Sequence, residues 1–282
     1  YIDAGRDDPA ALYNRISVPV QFADGKPAPY GYGLRRYRRG GVEVTTHGGG
    51  VRGFCSYRLH VAAERLSVVV IFNHEASAMR AAEGLMTAAL GLEPPMAGGP
   101  GKGWDGLWYD EENMLFLRTR DVPGGVRLHY AVSPTVLPQT AEGHARGADL
   151  SLRRDADLLV MERATENLTV RAQRVQPLDW ADATPIAGRY HSDEIDASLV
   201  IEARDGAASI GFEGMLGMGP MERMYPLAED LWSVTSRRAM DAAPPGEWTL
   251  RIRRDKGGRV TGLTIGCWLA RKIDYSLAAG EQ

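Results

Sequence analysis

The chain has 282 residues, 44% hydrophobic and 24% charged, enough for a sizeable core spread over two or three domains. Its 33 basic and 36 acidic residues are interspersed and leave a net charge of -3, which argues against nucleic acid or an anionic membrane as partner. There is no apolar run of about 18 residues to cross a bilayer as a helix, and two distant cysteines, Cys55 and Cys267, cannot form a four-ligand zinc site, so both are read as reduced, buried thiols.

The chain opens on Tyr1 without an initiator methionine and is read as a fragment of a longer protein. Asp8 and Pro9 form a cap and first helical position, predicting a short helix with Leu12, Tyr13 and Ile16 on its apolar face, stopped by Pro19. Three strand-like runs follow between Val42 and Asn73, "VEVTTH", "FCSYRLHV" and "LSVVVIFN", separated by glycines and a polar turn, and they predict an antiparallel meander. The third is apolar on both faces and is expected to be the most buried. Residues 77–90 then predict an alanine-rich helix with Met79, Ala82, Met86 and Ala89 on one face, ended by Gly91 and Pro94-Pro95.

The glycine- and proline-rich stretch "EPPMAGGPGKG", residues 93–103, marks an expected linker. Beyond it come short alternating strands without an amphipathic helix, the pattern of all-β sandwiches or barrels. These strands repeat. "GLWYDEENMLFLRTR" from Gly106 matches "GRYHSDEIDASLVIEARDG" from Gly188, and "LSLRRD" ending at Asp155 matches "LRIRRD" ending at Asp255. The second copy is longer, and the surplus is placed in "SVTSRRAMDAAPPGE", residues 233–247, as an inserted loop.

The stretch "THGGGVRGF" around His47 carries the chemistry. A tight glycine turn beside a satisfied histidine is the simplest reading. An α/β-hydrolase oxyanion loop is excluded, since the chain lacks a Gly-x-Ser-x-Gly elbow. The third reading is the rim of an antiparallel sheet lining an acyl-transfer site. There a donor on the strand, a residue without Cβ and a free N–H are needed in order, and His47, Gly49 and Gly50 supply them.

That His-x-Gly stretch resembles the third active-site motif of penicillin-binding proteins and β-lactamases, and "APYGYGL" upstream, "GFCSYRLHVAAERLSVVVIFN" downstream and the closing helix fit the same family. Further on, "GRYHSDEIDASL", "FEGMLG", "RRAMDAAPPGEW" and "GCWLARKIDY" resemble the appended β-barrels of its serine D-aminopeptidases. The resemblance covers nearly the whole chain. It implies the α+β C-terminal part of a β-lactamase-like catalytic domain at residues 1–92, a linker at 93–103, and two all-β antiparallel barrels at 104–178 and 179–282.

What it implies for the site is His47, Gly49 and Gly50 as catalytic residues, and Asp241 as the acceptor of the substrate's free amino group. Arg237, Arg238 and Met240 belong to the same substrate-binding loop. No metal and no cofactor are expected. Partners implied are a small peptide or amide with a free N-terminal D-residue, and an N-terminal part of the same enzyme carrying Ser-x-x-Lys and Tyr-x-Asn. Neither of those motifs occurs in this chain, so it is expected to be inactive alone. A homodimer and a cytoplasmic location are expected. The alternatives are a β-lactamase-like esterase or amidase, or a non-catalytic β-rich binding module.

Overall fold

The computed structural model describes residues 7–51, 53–93, 98–130, 134–215, 217–235, 246–268 and 270–278. The molecule is mostly β: a five-stranded antiparallel sheet with one helix on it, then two nine-membered antiparallel sheets, each barrel-like.

The first sheet has the order Tyr30–Gly31, Leu34–Arg39, Val42–Val51, Phe54–Val61 and Leu66–Phe72. The helix Ala78–Ala89 packs on one face, its Ser77 Oγ accepting from the Arg80 N–H at 3.2 Å. Its buried stripe is Ala78, Ala82 and Met86, spaced four residues apart, against Val44, Tyr57, Leu59 and Val70 of the sheet. Ala82 and Met86 of the predicted face are buried, but Met79 and Ala89 are exposed, about a quarter turn from the buried stripe. The first helix is Leu12–Ile16, later than predicted, because Ala11 is still extended and Asp8 caps a turn by accepting from the Ala10 N–H at 2.8 Å.

The third strand-like run is not the most buried one. Leu66–Phe72 is the last strand of the sheet and alternates in burial, Val68 and Val70 facing the helix while Val69 and Ile71 are 66% and 71% exposed. A helix on one side only cannot cover a strand that is apolar on both.

The two barrels share one strand order. In the second, Ala197–Arg204 pairs with Gly188–Ser192 on one side and with Ala207–Gly214 on the other, which closes the ring. The latter turn is Asp205-Gly206, both at positive φ as a two-residue hairpin requires. In the first barrel, Thr135–Leu137 pairs with Gly125–Tyr130 and Gln139–Ala141 pairs with His144–Arg146. Pro138 stands where this bent strand changes partner, and its carbonyl accepts from the Arg146 N–H at 3.0 Å. The repeated hairpins superpose in register: Trp108↔Leu117 and Leu117↔Tyr130 in the first barrel, Tyr190↔Leu199 and Leu199↔Phe212 in the second.

Residues 98–103 lie against the first barrel, where the Gly101 N–H donates to the Val122 carbonyl at 3.0 Å and the Gly103 N–H to Asp121 at 2.8 Å. The barrels meet through buried Leu107, Phe116, Leu227, Ala228 and Leu231. Arg35 ties the first sheet to the first barrel by an ion pair with Asp149, which also accepts from the Thr165 hydroxyl at 2.7 Å.

Candidate functional site

The strand Val42–Val51 holds the predicted His-Gly segment; its first half runs in the middle of the sheet, and its second half is paired on one side only. Over Val42 to Thr46 it pairs with Leu34–Arg39, and over its length from Thr45 to Val51 with Phe54–Val61. The neighbour on the first side ends in the Tyr32-Gly33 turn, both residues at positive φ. Past Thr46, no strand among the described residues pairs on that side, so the backbone groups of His47 to Val51 that alternate outward lie open.

Burial changes at the same point. Val44, Thr45 and Thr46 are buried, and His47 through Val51 are exposed. The base of the segment is fixed from both faces. On the helix side, Tyr57 lies under Gly48 and its hydroxyl donates to Thr46 Oγ1 at 3.0 Å. Burial pushes the Tyr57 phenol pKa up, so it stays a neutral donor. On the opposite side, the Tyr13 hydroxyl meets Thr45 Oγ1 at 2.6 Å, and its ring stands edge-on to His60 at 5.5 Å. His60 Nδ1 is 2.8 Å from Ser67 Oγ.

His47 shares that second face. Its ring centroid lies 6.4 Å from that of Tyr30, and its cross-strand partner is Arg58, whose guanidinium carbon sits 5.6 Å over the Tyr13 ring. The three glycines differ in what surrounds them. A Cβ on Gly48 would stand 3.1 Å from Tyr57 Cδ2, one on Gly49 3.1 Å from Ser56 Oγ, and one on Gly50 no closer than 3.7 Å to any atom. Only at Gly48 is the neighbour itself buried and held. At Gly49 and Gly50 the missing side chain leaves the outer surface of the strand free for close approach of a ligand backbone.

A cleft of about 810 Å³ runs between this layer and the first barrel, lined in part by Arg35, Arg39, Tyr57, Glu83, Asp149 and Arg163. Its cations are partnered: Arg35 with Asp149, Arg39 with Glu83 at 3.6 Å and Arg163 with Glu166 at 3.0 Å.

Of the predicted site residues, the structure thus places His47, Gly49 and Gly50 together on one exposed strand end. Arg237, Arg238, Met240 and Asp241 lie outside the described residues; the flanking strands end at Thr235 and resume at Glu247. Cys55 and Cys267 are free thiols, Cys267 buried and Cys55 half-buried. Sequence reasoning missed Tyr13, Thr45, Thr46 and Tyr57, which fix the base of the strand through contacts between residues far apart in the chain.

A family model described as D-aminopeptidase, domain B, matches residues 98–276. The chain is 55% identical over 276 residues to a D-aminopeptidase of Cereibacter sphaeroides, and 42% identical over 278 residues to one of Brucella ovis. Each alignment takes in 98% of this chain and 53% of the relative, so the chain spans about half the length of the curated relatives it matches. A crystal structure of SurE with D-Leu aligns over 93% of this chain and 42% of its own, at 16% identity and a TM-score of 0.26, too low for a shared fold to be inferred.

Proposed function

The chain belongs to the D-aminopeptidase domain B family, and from that membership we propose that it is part of a hydrolase releasing N-terminal D-residues from short peptides and amides through a serine acyl-enzyme. The observation that carries the site is the open strand end from His47 to Val51, which is bare of side chains at Gly49 and Gly50. In this reading the substrate backbone lies along it. His47 donates to the substrate, Gly49 admits its close approach, and the Gly50 N–H points to the oxygen that becomes an oxyanion, a donor worth about 3 kcal/mol in the transition state. Residues 1–92 belong to a β-lactamase-like catalytic domain, 93–103 connect it, and 104–178 and 179–282 are separate barrels.

The nucleophile comes from the remainder of the longer polypeptide that the relatives have. A serine of Ser-x-x-Lys attacks the scissile carbonyl, its proton passes to the lysine, and the tyrosine of Tyr-x-Asn helps deliver a proton to the leaving amine. Water then releases the D-residue and restores the serine. That remainder also covers the sheet face opposite the helix, where Val51, Phe54, Val69 and Ile71 are exposed side by side. Asp241, reaching in from the second barrel with Arg237, Arg238 and Met240 beside it, pairs with the substrate's α-ammonium and turns away N-blocked or long chains. The protein works as a homodimer in the cytoplasm.

The experiment is a comparison of D-alanine amide with its N-acetyl derivative, using the complete polypeptide with and without Asp241→Ala. The reading predicts that the free amine is preferred and that the variant loses at least tenfold of that preference. An unchanged preference removes the ammonium clamp from the account.

A further inference from the structure

Because the two barrels are copies of one module, each serves as a control for the other. Their repeated hairpins are in register, so Asn113, Leu115 and Tyr130 at the mouth of the first barrel correspond to Ile195, Ala197 and Phe212 at the mouth of the second.

The first mouth is filled. Trp268, on the segment that joins the strands Val260–Gly266 and Ile273–Leu277 of the second barrel, crosses over and packs against the first barrel's core. Its indole stands perpendicular to the Tyr130 ring at 6.2 Å, with the guanidinium carbon of Arg163 at 4.7 Å and that of Arg271 at 5.6 Å. Arg271 Nη1 also donates to Asn113 Oδ1 at 2.5 Å and so locks the segment in place. An aromatic ring supplied from outside therefore closes this barrel.

The second mouth is built to the same plan with smaller and less polar residues. Ala197 is shorter than Leu115 by a branched side chain, and Ile195 and Phe212 have no polar atom where Asn113 and Tyr130 do. The outcome is a cavity of about 490 Å³ whose walls include Phe212 and Trp248, tilted against each other with centroids 5.0 Å apart, and Ile265 and Ile273. The size and lining are those of a small-molecule site. Two methionines form a pliable rim, Met215 at 95% and Met218 at 54% exposure. Glu213, the one charged residue in the described lining, is neutralised by an ion pair with Arg189.

We propose that the mouth of the second barrel binds an uncharged, planar aromatic group of indole size, in the position that Trp268 takes in the first. Phe212 and Trp248 offer ring faces and edges to it, and the paired Glu213 leaves no free charge to select an ion. The site is separate from the His47 strand and does not depend on the peptidase reading.

The test is titration of the whole protein with 5-fluoroindole, followed by fluorine NMR. The proposal predicts a saturable shift. It also predicts at least tenfold weaker binding in Ala197→Leu, which restores the first barrel's residue, and in Met218→Asp, which sets a charge on the rim. Met218 is exposed, so the second variant decides if the first does not fold. A shift that never saturates, or equal affinity in the wild type and Met218→Asp, overturns the proposal.

Discussion

Replacing Gly48 and Gly50 by alanine separates what the three glycines do for folding from what they do for a ligand. At Gly48 the new methyl would stand 3.1 Å from Tyr57 Cδ2. Tyr57 cannot swing aside, since it is 9% exposed, packs in the helix-sheet core and is hydrogen-bonded to the fully buried Thr46. Overpacking of this kind costs about 1–3 kcal/mol, against about 0.5–1 kcal/mol that alanine recovers over glycine within a strand. The net expectation is a loss of up to about 2.5 kcal/mol. At Gly50 the nearest atom to the methyl is 3.7 Å away, so only the favourable propensity acts and stability holds or rises slightly. Guanidinium unfolding of both variants, compared at equal m-value, reads the difference. If Gly48→Ala matches the wild type while Gly50→Ala falls, the packing argument is refuted. In the complete polypeptide, Gly49→Ala, whose methyl meets only the exposed Ser56 hydroxyl at 3.1 Å, is expected to fold normally and yet lose activity, because the methyl occupies the approach assigned to the substrate backbone.

Further outcomes follow from contacts elsewhere. Thr119 is fully buried, accepts from the Trp108 indole N–H at 2.8 Å and donates to the Trp104 carbonyl. Thr119→Val therefore orphans two buried groups and should cost about 2–4 kcal/mol, whereas a loss under about 0.5 kcal/mol in urea unfolding would deny those bonds. Trp268→Ala uncovers the first barrel's mouth and should lower stability by about 2–3 kcal/mol, with increased hydrogen exchange around Tyr130; exchange unchanged there would show that the ring is not a plug. Asp24 is held down to about 2 from its ordinary 3.8, first by the hydrogen bond from Asn167 of the first barrel and then by Lys26. A depressed carboxyl stabilises fully above its unfolded value and loses that contribution as pH falls from about 3.8 to about 2. The stability gap between wild type and Asp24→Asn should accordingly close over that range, and a gap independent of pH would contradict the assignment.

Much of the β architecture was legible because alternation and turn chemistry are local. The short alternating strands expected beyond the linker include Gly125–Tyr130, and the matching Gly106 and Gly188 phrases fold as hairpins in register. Ring closure was not legible, since it depends on Pro138 lying where a strand changes partner and on pairings between distant segments. The exposure of Val69 and Ile71 was misjudged for a related reason: a run apolar on both faces says that both faces will be covered, not which piece of chain covers them. The same limit hid Trp268, whose environment belongs to the neighbouring barrel. For the site, "THGGG" lies on a strand as its β-branched neighbours predict, while Tyr57 and Thr46, which hold that strand's base, carry no sequence signal that sets them apart from ordinary core.

The most direct test of the functional account is hydrolysis of D-alanine p-nitroanilide and its L enantiomer by the protein as isolated, together with any further polypeptide that accompanies these 282 residues. The account predicts cleavage of the D-substrate, little or none of the L-substrate, and loss of the D-activity in His47→Ala. Equal cleavage of both enantiomers, or D-activity untouched by His47→Ala, would contradict it.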